Sequence, residues 1–326
     1  VIEVVIPAYN AGPFLRETLE SVAAQALRPA RVTVVDDSST DDTVAVAEAC
    51  AAALRDRIAI RILRNPGPRG PSAARNLAIR AEGPEFVALL DADDLLAPSH
   101  HALLLAAISA APDLVLAYAD HTVFGPSGTI QESGLAHSGV ASLAAETIAP
   151  GVFTLGEGSF RALLRTGIFG TSACLFRRSA ALAAGLFDEA MMHGEDTDLF
   201  LRMSLAGRFA FRREVVAHKR VHGSNLTHER NALMFCRGTV RSLTRLAAED
   251  RAGRAALSAP QRAALLEAIP PALRGHLYAA SRAGLGAYRD AAGMAARAGH
   301  ARLAAAPRHL LRLAKHSLLH AARRGH

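Results

Sequence analysis

Phe86–Leu90 reads FVALL, and the next four residues are Asp91-Ala92-Asp93-Asp94. Five apolar residues without polar alternation mark a strand buried on both faces, the environment of a parallel sheet covered by helices. The acidic residues then fall at the carboxyl end of that strand. In an open parallel sheet, ligands collect outside the carboxyl ends. This one stretch therefore predicts a layered α/β fold and the edge of the sheet that carries its chemistry.

Upstream, two periods alternate. Val1–Ile6 is a β-branched run that stops at Pro7, and Pro13–Leu27 places Leu15, Leu19, Val22, Ala23 and Ala26 at helical spacing. Arg31–Val35 reads as a second strand, followed by a helix from about Thr40 to Leu54, with Ser38 and Ser39 as N-cap signals. Ile58–Leu63 is a third strand, and Gly70-Pro71 opens a helix through Ala81 that Gly83-Pro84 ends. This alternation predicts βαβ units in a doubly wound, mostly parallel sheet flanked by helices. Downstream come a helix after Pro98, a strand near Leu114–Phe124, an irregular stretch over 125–170, a strand at Ala173–Arg178, a short helix at Ala180–Ala184, and a helix at Asp196–Ala206. From about Ala232 the chain becomes an Ala/Arg/Leu-rich helical extension.

The 326 residues, half of them hydrophobic, suffice for one large or two modest domains. The net charge of +7 is uneven: residues 1–220 carry 20 basic and 25 acidic side chains, residues 221–326 carry 17 and 5. Genome base composition explains much of the Arg and Ala usage. No zinc-finger spacing or aromatic-rich RNA-binding strand accompanies the charge, so no nucleic-acid partner is expected. No apolar run reaches the roughly 18 residues that span a bilayer. The chain opens directly in VIEVVIP, from which no signal segment is expected, and Cys50, Cys174 and Cys236 lack metal spacing. A cytoplasmic protein with reduced, buried cysteines is expected. In His300–Arg324, Leu303, Leu310, Leu311, Leu313, Ala314 and Leu318 fall opposite Arg308, Arg312, Lys315, His316 and Arg323, with Leu319 breaking the pattern. That helix reads as packed on its own protein with a solvated basic face, as a peripheral contact with an anionic membrane, or as a partner or homodimer helix.

Three polar clusters share the rim of the expected sheet: Pro7-Ala8-Tyr9-Asn10, Asp36-Asp37-Ser38-Ser39 and Asp91-Ala92-Asp93-Asp94. In an extended segment Asp91 and Asp93 project to one side. Two such carboxylates suit Mg²⁺ or Mn²⁺ bridging to a diphosphate, although a solvated acidic loop that caps the next helix has the same sequence. Asp36 and Asp37 can accept an N–H from a pyrimidine, or cap the helix that follows. No Gly-rich loop follows the first strand, which disfavours Walker-type and dinucleotide sites. Asp196 stands at a helix start, where the dipole favours the ionised form a general base needs; Glu195 and Asp198 are its neighbours and rivals.

Taken in order, IPAYN, VVDDSSTDDT, GPSAARNLAI, LLDADDLLAP, GEDTDLFLRM and HGSNLT resemble a family 2 glycosyltransferase of GT-A fold over roughly residues 1–230. The second motif departs by having Asp-Asp-Ser-Ser where Asp-Asp-Gly-Ser is commoner. The resemblance implies a catalytic domain at 1–230, with a nucleotide-sugar half at about 1–124 and an acceptor half at about 125–230, and a basic helical extension at 231–326. It implies a metal-dependent inverting transferase that uses Mn²⁺ or Mg²⁺ and a nucleotide-sugar donor, UDP-linked by preference. The acceptor is a glycan, a lipid-linked sugar or a small molecule, in cell-surface polysaccharide synthesis at the cytoplasmic face of a membrane. By position, Pro7, Ala8 and Tyr9 line the nucleoside pocket and Asp37 or Asp36 reads the base. Arg75 and Asn76 lie near the diphosphate or sugar. Asp91, with Ala92 beside it, faces the ribose or a metal-bound water, and Asp93 ligates the metal with His222 close by. Asp196 is the base, and Arg220 helps bind the diphosphate. The competing readings are a sugar-phosphate nucleotidyltransferase, whose Gly-rich phosphate loop is missing here, and a non-catalytic nucleotide-sugar-binding module, which loss of an acid would favour.

Overall fold

The first strand runs two residues past its apolar pattern: β1 spans Ile2–Ala8 and includes Pro7. Its neighbour β4 (Phe86–Leu89) pairs with it only as far as Val5. Pro7 therefore lies beyond the end of that ladder, where a missing N–H leaves nothing unpaired. The structure is a computed structural model that describes residues 1–312 except 139, 141, 142, 166, 224, 226–230 and 308. It falls into two compact units, Val1–Gly223 and Ser224–His326.

In the first unit, β1 is followed by α1 (Gly12–Ala23), β2 (Arg31–Asp36), α2 (Thr43–Ala53), β3 (Ile60–Arg64) and α3 (Pro71–Arg80), then β4. After β4 come β5 (Leu95–Leu96), α4 (His100–Ile108), β6 (Leu114–Gly125), β7 (Gly128–Gln131), α5 (Gly134–His137), β8 (Glu146–Ala149), β9 (Val152–Thr154), α6 (Gly158–Leu163), β10 (Cys174–Arg177), α7 (Arg178–Ala183), α8 (Glu195–Met203) and β11 (Arg208–Arg220). The main sheet order is β3-β2-β1-β4-β10-β6-β11-β9-β8. The first four strands are parallel. Strand β10 enters antiparallel between β4 and β6, and β11 returns parallel to β6. This is a mixed sheet flanked by helices, with all its early carboxyl ends on one rim.

The sheet is held by helices whose apolar faces match their period. Leu15, Leu19 and Val22 of α1 and Leu104 and Ile108 of α4 are buried in one cluster with Val4, Ile6 and Val34. Each side chain of this size contributes roughly 1.5–3 kcal/mol on burial. Segment 125–170 is not wholly irregular: it carries β7 to β9 and two short helices, too short for a period to show. Strand β11, absent from the sequence reading, has register shifts between Phe211 and Val215 and between Val215 and Ala217. Those shifts bracket Arg212, Arg213 and Glu214 and break the alternation that would have revealed it. Ser38 and Ser39 do not cap α2. The Asp41 carboxylate accepts from the Thr43 N–H at 3.0 Å, while Ser39 Oγ accepts from the Asn10 N–H.

The second unit comprises α9 (Ala232–Arg251), α10 (Ala259–Ala283), α11 (Leu285–Arg297) and α12 (Ala301–Ala304). A reciprocal capping box between Ser258 and Gln261 starts α10. Arg262 pairs with Asp250 at 2.6 Å, joining α10 to the end of α9. Residues 308 and 313–326, which carry much of the amphipathic basic segment, lie outside the described residues. Among the described residues, no helix is long and apolar enough to cross a membrane.

One buried charge cluster joins the start of the fold to its middle. Glu3 of β1 is fully buried, accepts from Arg31 Nε at 2.7 Å and Thr33 Oγ1 at 2.6 Å, and pairs with Arg178 of α7. Burial alone would raise its pKa. The hydrogen bonds from Arg31 and Thr33 and the charges of Arg178 and Arg31 overcome that, leaving it below the ordinary 4.5. A depressed carboxylate pKa stabilises the fold above the ordinary value, and that stabilisation is lost as pH falls through the folded pKa. Glu3→Ala leaves the buried Arg178 uncompensated, and urea denaturation is expected to show a loss of about 3 kcal/mol at neutral pH. The gap between wild type and variant should narrow below pH 4.5.

Candidate active site

The rim begins where β1 and β2 end. Ala8 is buried, Pro7 is half-buried and Tyr9 is 54% exposed at the turn that follows. The Asp37 N–H donates to the Ala8 carbonyl at 2.8 Å, which sets the two loops side by side. Asp36 Oδ1 accepts from the Ser39 N–H. Asp37 is locked: Oδ1 accepts from Asn65 Nδ2 at 2.6 Å and Oδ2 from the Gly70 N–H at 2.7 Å. Gly70 sits at φ +132°, and a Cβ there would lie 2.8 Å from the Met192 sulfur, so only glycine fits. Each Asp37 oxygen keeps a lone pair for a further donor.

Residues 91–94 form a turn, closed by the Asp94 N–H donating to the Asp91 carbonyl at 3.1 Å. The expected extended alternation is therefore replaced, and the two acids face different partners. Asp91 Oδ1 pairs with Arg75 at 2.8 Å; Asp93 Oδ2 lies 2.8 Å from His222 Nε2. The ring of His222 stacks on Phe14 at 4.4 Å. Ala92 is buried, and its carbonyl accepts from Thr18 Oγ1. Asp94 is buried and accepts from Ser172 Oγ at 2.6 Å and the Arg220 N–H at 2.9 Å. Arg220 Nε donates to the Asp93 carbonyl, and its guanidinium lies over Phe124 and Phe14.

Arg75 joins this turn to α8. Its guanidinium is enclosed, with Asp91 on one nitrogen and Glu195 on another, each at 2.8 Å, and it lies over the Phe187 ring. It stands beside the acid turn and is almost wholly buried. Asn76 stands on another wall. It is fully buried, donates to the Phe187 carbonyl and Glu189, and accepts from the Phe187 N–H. Both donors of its amide are engaged, so it fastens segment 187–189.

Gly194, in the left-handed region at φ +74°, starts α8 and delivers three acids to its first turn. They have separate fates. Asp198 is buried against Arg202 at 2.8 Å. Glu195 is buried against Arg75. Asp196 stays half-buried, accepting from Thr171 Oγ1 at 2.7 Å and the Thr197 N–H at 2.6 Å. Of the three, Asp196 is the acid without an ion pair to a basic side chain among the described residues.

The acid turn also bears on a metal. Burial and the Asp91 charge raise the Asp93 pKa against the pull of His222; burial and both neighbouring acids raise Asp94 well above the ordinary range. Carboxylates crowded in this way gain from a cation. Among the described residues, no three His, Cys, Asp or Glu side chains form a complete cage. The carboxylate of Asp93 and the imidazole of His222, 2.8 Å apart, nevertheless supply donor types that fit Mn²⁺ or Mg²⁺, ions that complete their coordination with substrate phosphates and water.

Sequence reasoning passed over Asn65, Gly70, Asp94, Thr171 and Ser172 as site residues. Asp94 adjoins the acid motif and was within reach. The others act through contacts far apart in the chain, for which a single sequence carries no signal.

Glu195 supplies a pH-dependent test. Burial first, then the charge of Asp196, push its pKa up to about 7 against the pull of Arg75. A carboxyl raised in the folded state stabilises it below the ordinary pKa, and that contribution is lost as pH rises towards 7. Thermal melting of wild type is expected to lose stability from pH 4.5 to about 7, and Glu195→Gln is expected to flatten that interval.

The chain matches glycosyl transferase family 2 over residues 3–180, more than half its length. It is 31% identical over 201 residues to the succinoglycan biosynthesis protein ExoU of Rhizobium meliloti, covering 61% of this chain and 55% of that protein. It is 32% identical over 95 residues to the glycosyltransferase GlyG of Streptococcus pneumoniae, 29% of this chain and 31% of that one. The chain thus spans little more than half, or less, of these relatives. Among solved structures, S. aureus TarS 1–349 superposes with a TM-score of 0.63 at 19% identity, covering 93% of this chain and 82% of that one. The mannosyltransferase PcManGT from Pyrobaculum calidifontis, in complex with GDP-Man and Mn²⁺, gives 0.60 at 21% identity, covering 97% and 86%. These likenesses establish the GT-A architecture. With the family match over β1 to α7, they show that the chain belongs to glycosyl transferase family 2.

Proposed function

We propose that the chain is a metal-dependent inverting glycosyltransferase that moves a sugar from a nucleoside-diphosphate sugar, UDP-linked by preference, to an acceptor hydroxyl in glycan synthesis. The observation that carries this reading is the Arg75 bridge. It holds Asp91 of the acid turn and Glu195, the neighbour of Asp196, on one guanidinium. Donor-side and acceptor-side acids therefore share one rim. Two structural relatives add support: TarS forms a complex with UDP-GlcNAc, and PcManGT one with GDP-Man and Mn²⁺.

In this reading Tyr9 and Pro7 flank the nucleoside and the free lone pairs of Asp37 accept its base N–H, with Asp36 behind. Asp93 and His222 hold the cation, and Asp91, fixed by Arg75, orients water or ribose beside it. A bound Mn²⁺ or Mg²⁺ neutralises charge on the departing diphosphate. An acceptor hydroxyl is a poor nucleophile until it sheds its proton. Asp196 takes that proton as the oxygen attacks the anomeric carbon from the face opposite the leaving group, which inverts the centre. Calorimetry with UDP, dTDP and GDP, with and without Mn²⁺, tests the donor site. One nucleotide is expected to bind in a metal-dependent manner, and Asp93→Ala to abolish it. Asp196→Asn is expected to keep that binding while lowering turnover roughly 10²- to 10⁴-fold. Folded protein that binds no nucleotide would sink the reading.

The basic surplus after residue 221 supports a peripheral role at the cytoplasmic face of a membrane, where a lipid-linked acceptor would be met. The full-length chain is expected to sediment with phosphatidylglycerol vesicles at low salt, to be released at high salt, and to ignore neutral vesicles. Equal recovery in the supernatant with both vesicle types would reject membrane contact. Self-association measured in the same samples would favour a dimer.

A further inference from the structure

Two consecutive hydroxyls lie between the acid turn and α8. Residues Thr171–Ala173 form a single 3₁₀ turn just before β10. From this turn the Thr171 hydroxyl donates to Asp196 Oδ2 at 2.7 Å. The next hydroxyl, on Ser172, accepts from the Asp91 N–H at 3.1 Å and donates to Asp94 Oδ2 at 2.6 Å. One dipeptide therefore touches the acid proposed as base and both ends of the acid turn.

The dipeptide is itself anchored. His100 Nε2–H donates to the Ser172 carbonyl at 3.1 Å, and Cys174 Sγ donates to the Thr171 carbonyl at 3.1 Å. The Ala173 N–H donates to the Gly170 carbonyl, closing the turn. Ser172 is 4% exposed and His100 fully buried, so water does not compete for these bonds. A turn so held cannot move one hydroxyl without the other.

We propose that Thr171 and Ser172 are paired positioning residues that set the distance and orientation of Asp196 relative to the Asp91–Asp94 turn. The inference rests on the transferase reading and deepens it. Thr171 fixes the rotamer of the carboxylate that receives the acceptor's proton. Ser172 fixes the backbone at Asp91 and the buried Asp94, and through them the position of Asp93. Neither contacts the reacting atoms. The two arms act on different steps: Thr171 on proton removal, Ser172 on holding cation and diphosphate.

The experiment uses the full chain with Mn²⁺ and a panel of UDP-glucose, UDP-N-acetylglucosamine and GDP-mannose, following nucleoside diphosphate release with water as acceptor. UDP and GDP binding is measured in parallel by calorimetry, and melting curves confirm folding. Thr171→Val is expected to lower turnover roughly 10- to 100-fold with unchanged nucleotide affinity, since it removes a hydrogen bond to a charged group. Thr171→Ser should restore turnover. In an Asp196→Asn background, Thr171→Val should cost little more, because its effect passes through that carboxylate. Ser172→Ala should instead weaken Mn²⁺-dependent nucleotide binding. Unchanged turnover in Thr171→Val, a loss of nucleotide affinity equal to that of Ser172→Ala, or full additivity with Asp196→Asn would overturn the assignment while wild type remains active. A folded wild type that neither binds nucleotide nor releases it from any donor would overturn the transferase reading and this inference together.

Discussion

A guanidinium with almost no access to water must be surrounded by anions, and Arg75 is. Its two partners come from different parts of the first unit, Asp91 after β4 and Glu195 at the start of α8, and the chain between them exceeds one hundred residues. Stranding either partner of a buried pair costs more than the pair contributes. The arrangement therefore acts as a constraint on geometry more than as a source of stability. If α8 moves, Glu195 leaves Arg75 and Asp91 loses its orientation. The nearby acids add to the constraint, because Asp196 opposes the ionisation of Glu195 while Arg75 favours it. Positive charge at this point lets five acids share one rim.

Much of this was legible in the sequence, for reasons specific to each segment. FVALL followed by DADD announced a strand and its functional end because burial on both faces erases polar alternation. The helices α1 and α3 were legible from Pro13 and Pro71 near their starts. Strand β11 was not, since its bulge carries three charged residues through the middle of the pattern. The helix α10 gives the opposite case. Pro270 and Pro271 look like an end, yet the helix runs through them, with Ile269, Leu273 and Leu277 buried along one face. Tertiary burial there outweighs two missing N–H groups.

Within the site, residue types were legible and their partners were not. Asp37 stands out as a carboxylate after a strand. Nothing in its neighbourhood reveals that the N–H of Gly70, 33 residues away, holds one of its oxygens. Arg75 and Asn76 are adjacent in a motif and look alike in purpose, but α3 directs one to the acid turn and the other to segment 187–189. A helix places consecutive residues about 100° apart, so neighbours in a motif can serve different walls. The resemblance already put Asp196 forward over Glu195 and Asp198; what the sequence hid is that each of those two stands in an ion pair with an arginine.

The long return of β11 has a consequence for how the molecule comes into being. Asp93 and His222 meet across 129 positions of chain, and β11, which delivers His222, is the last strand among the described residues. Its parallel pairing with β6 closes a loop that no local turn can prepare, so this step belongs to the slow, late part of assembly. Until it is complete, the acid turn lacks its histidine and Asp94 lacks the N–H of Arg220. A nascent or partly folded chain thus has no finished rim. Competence to engage a ligand there is acquired at once, when nearly the whole first unit has been threaded and closed.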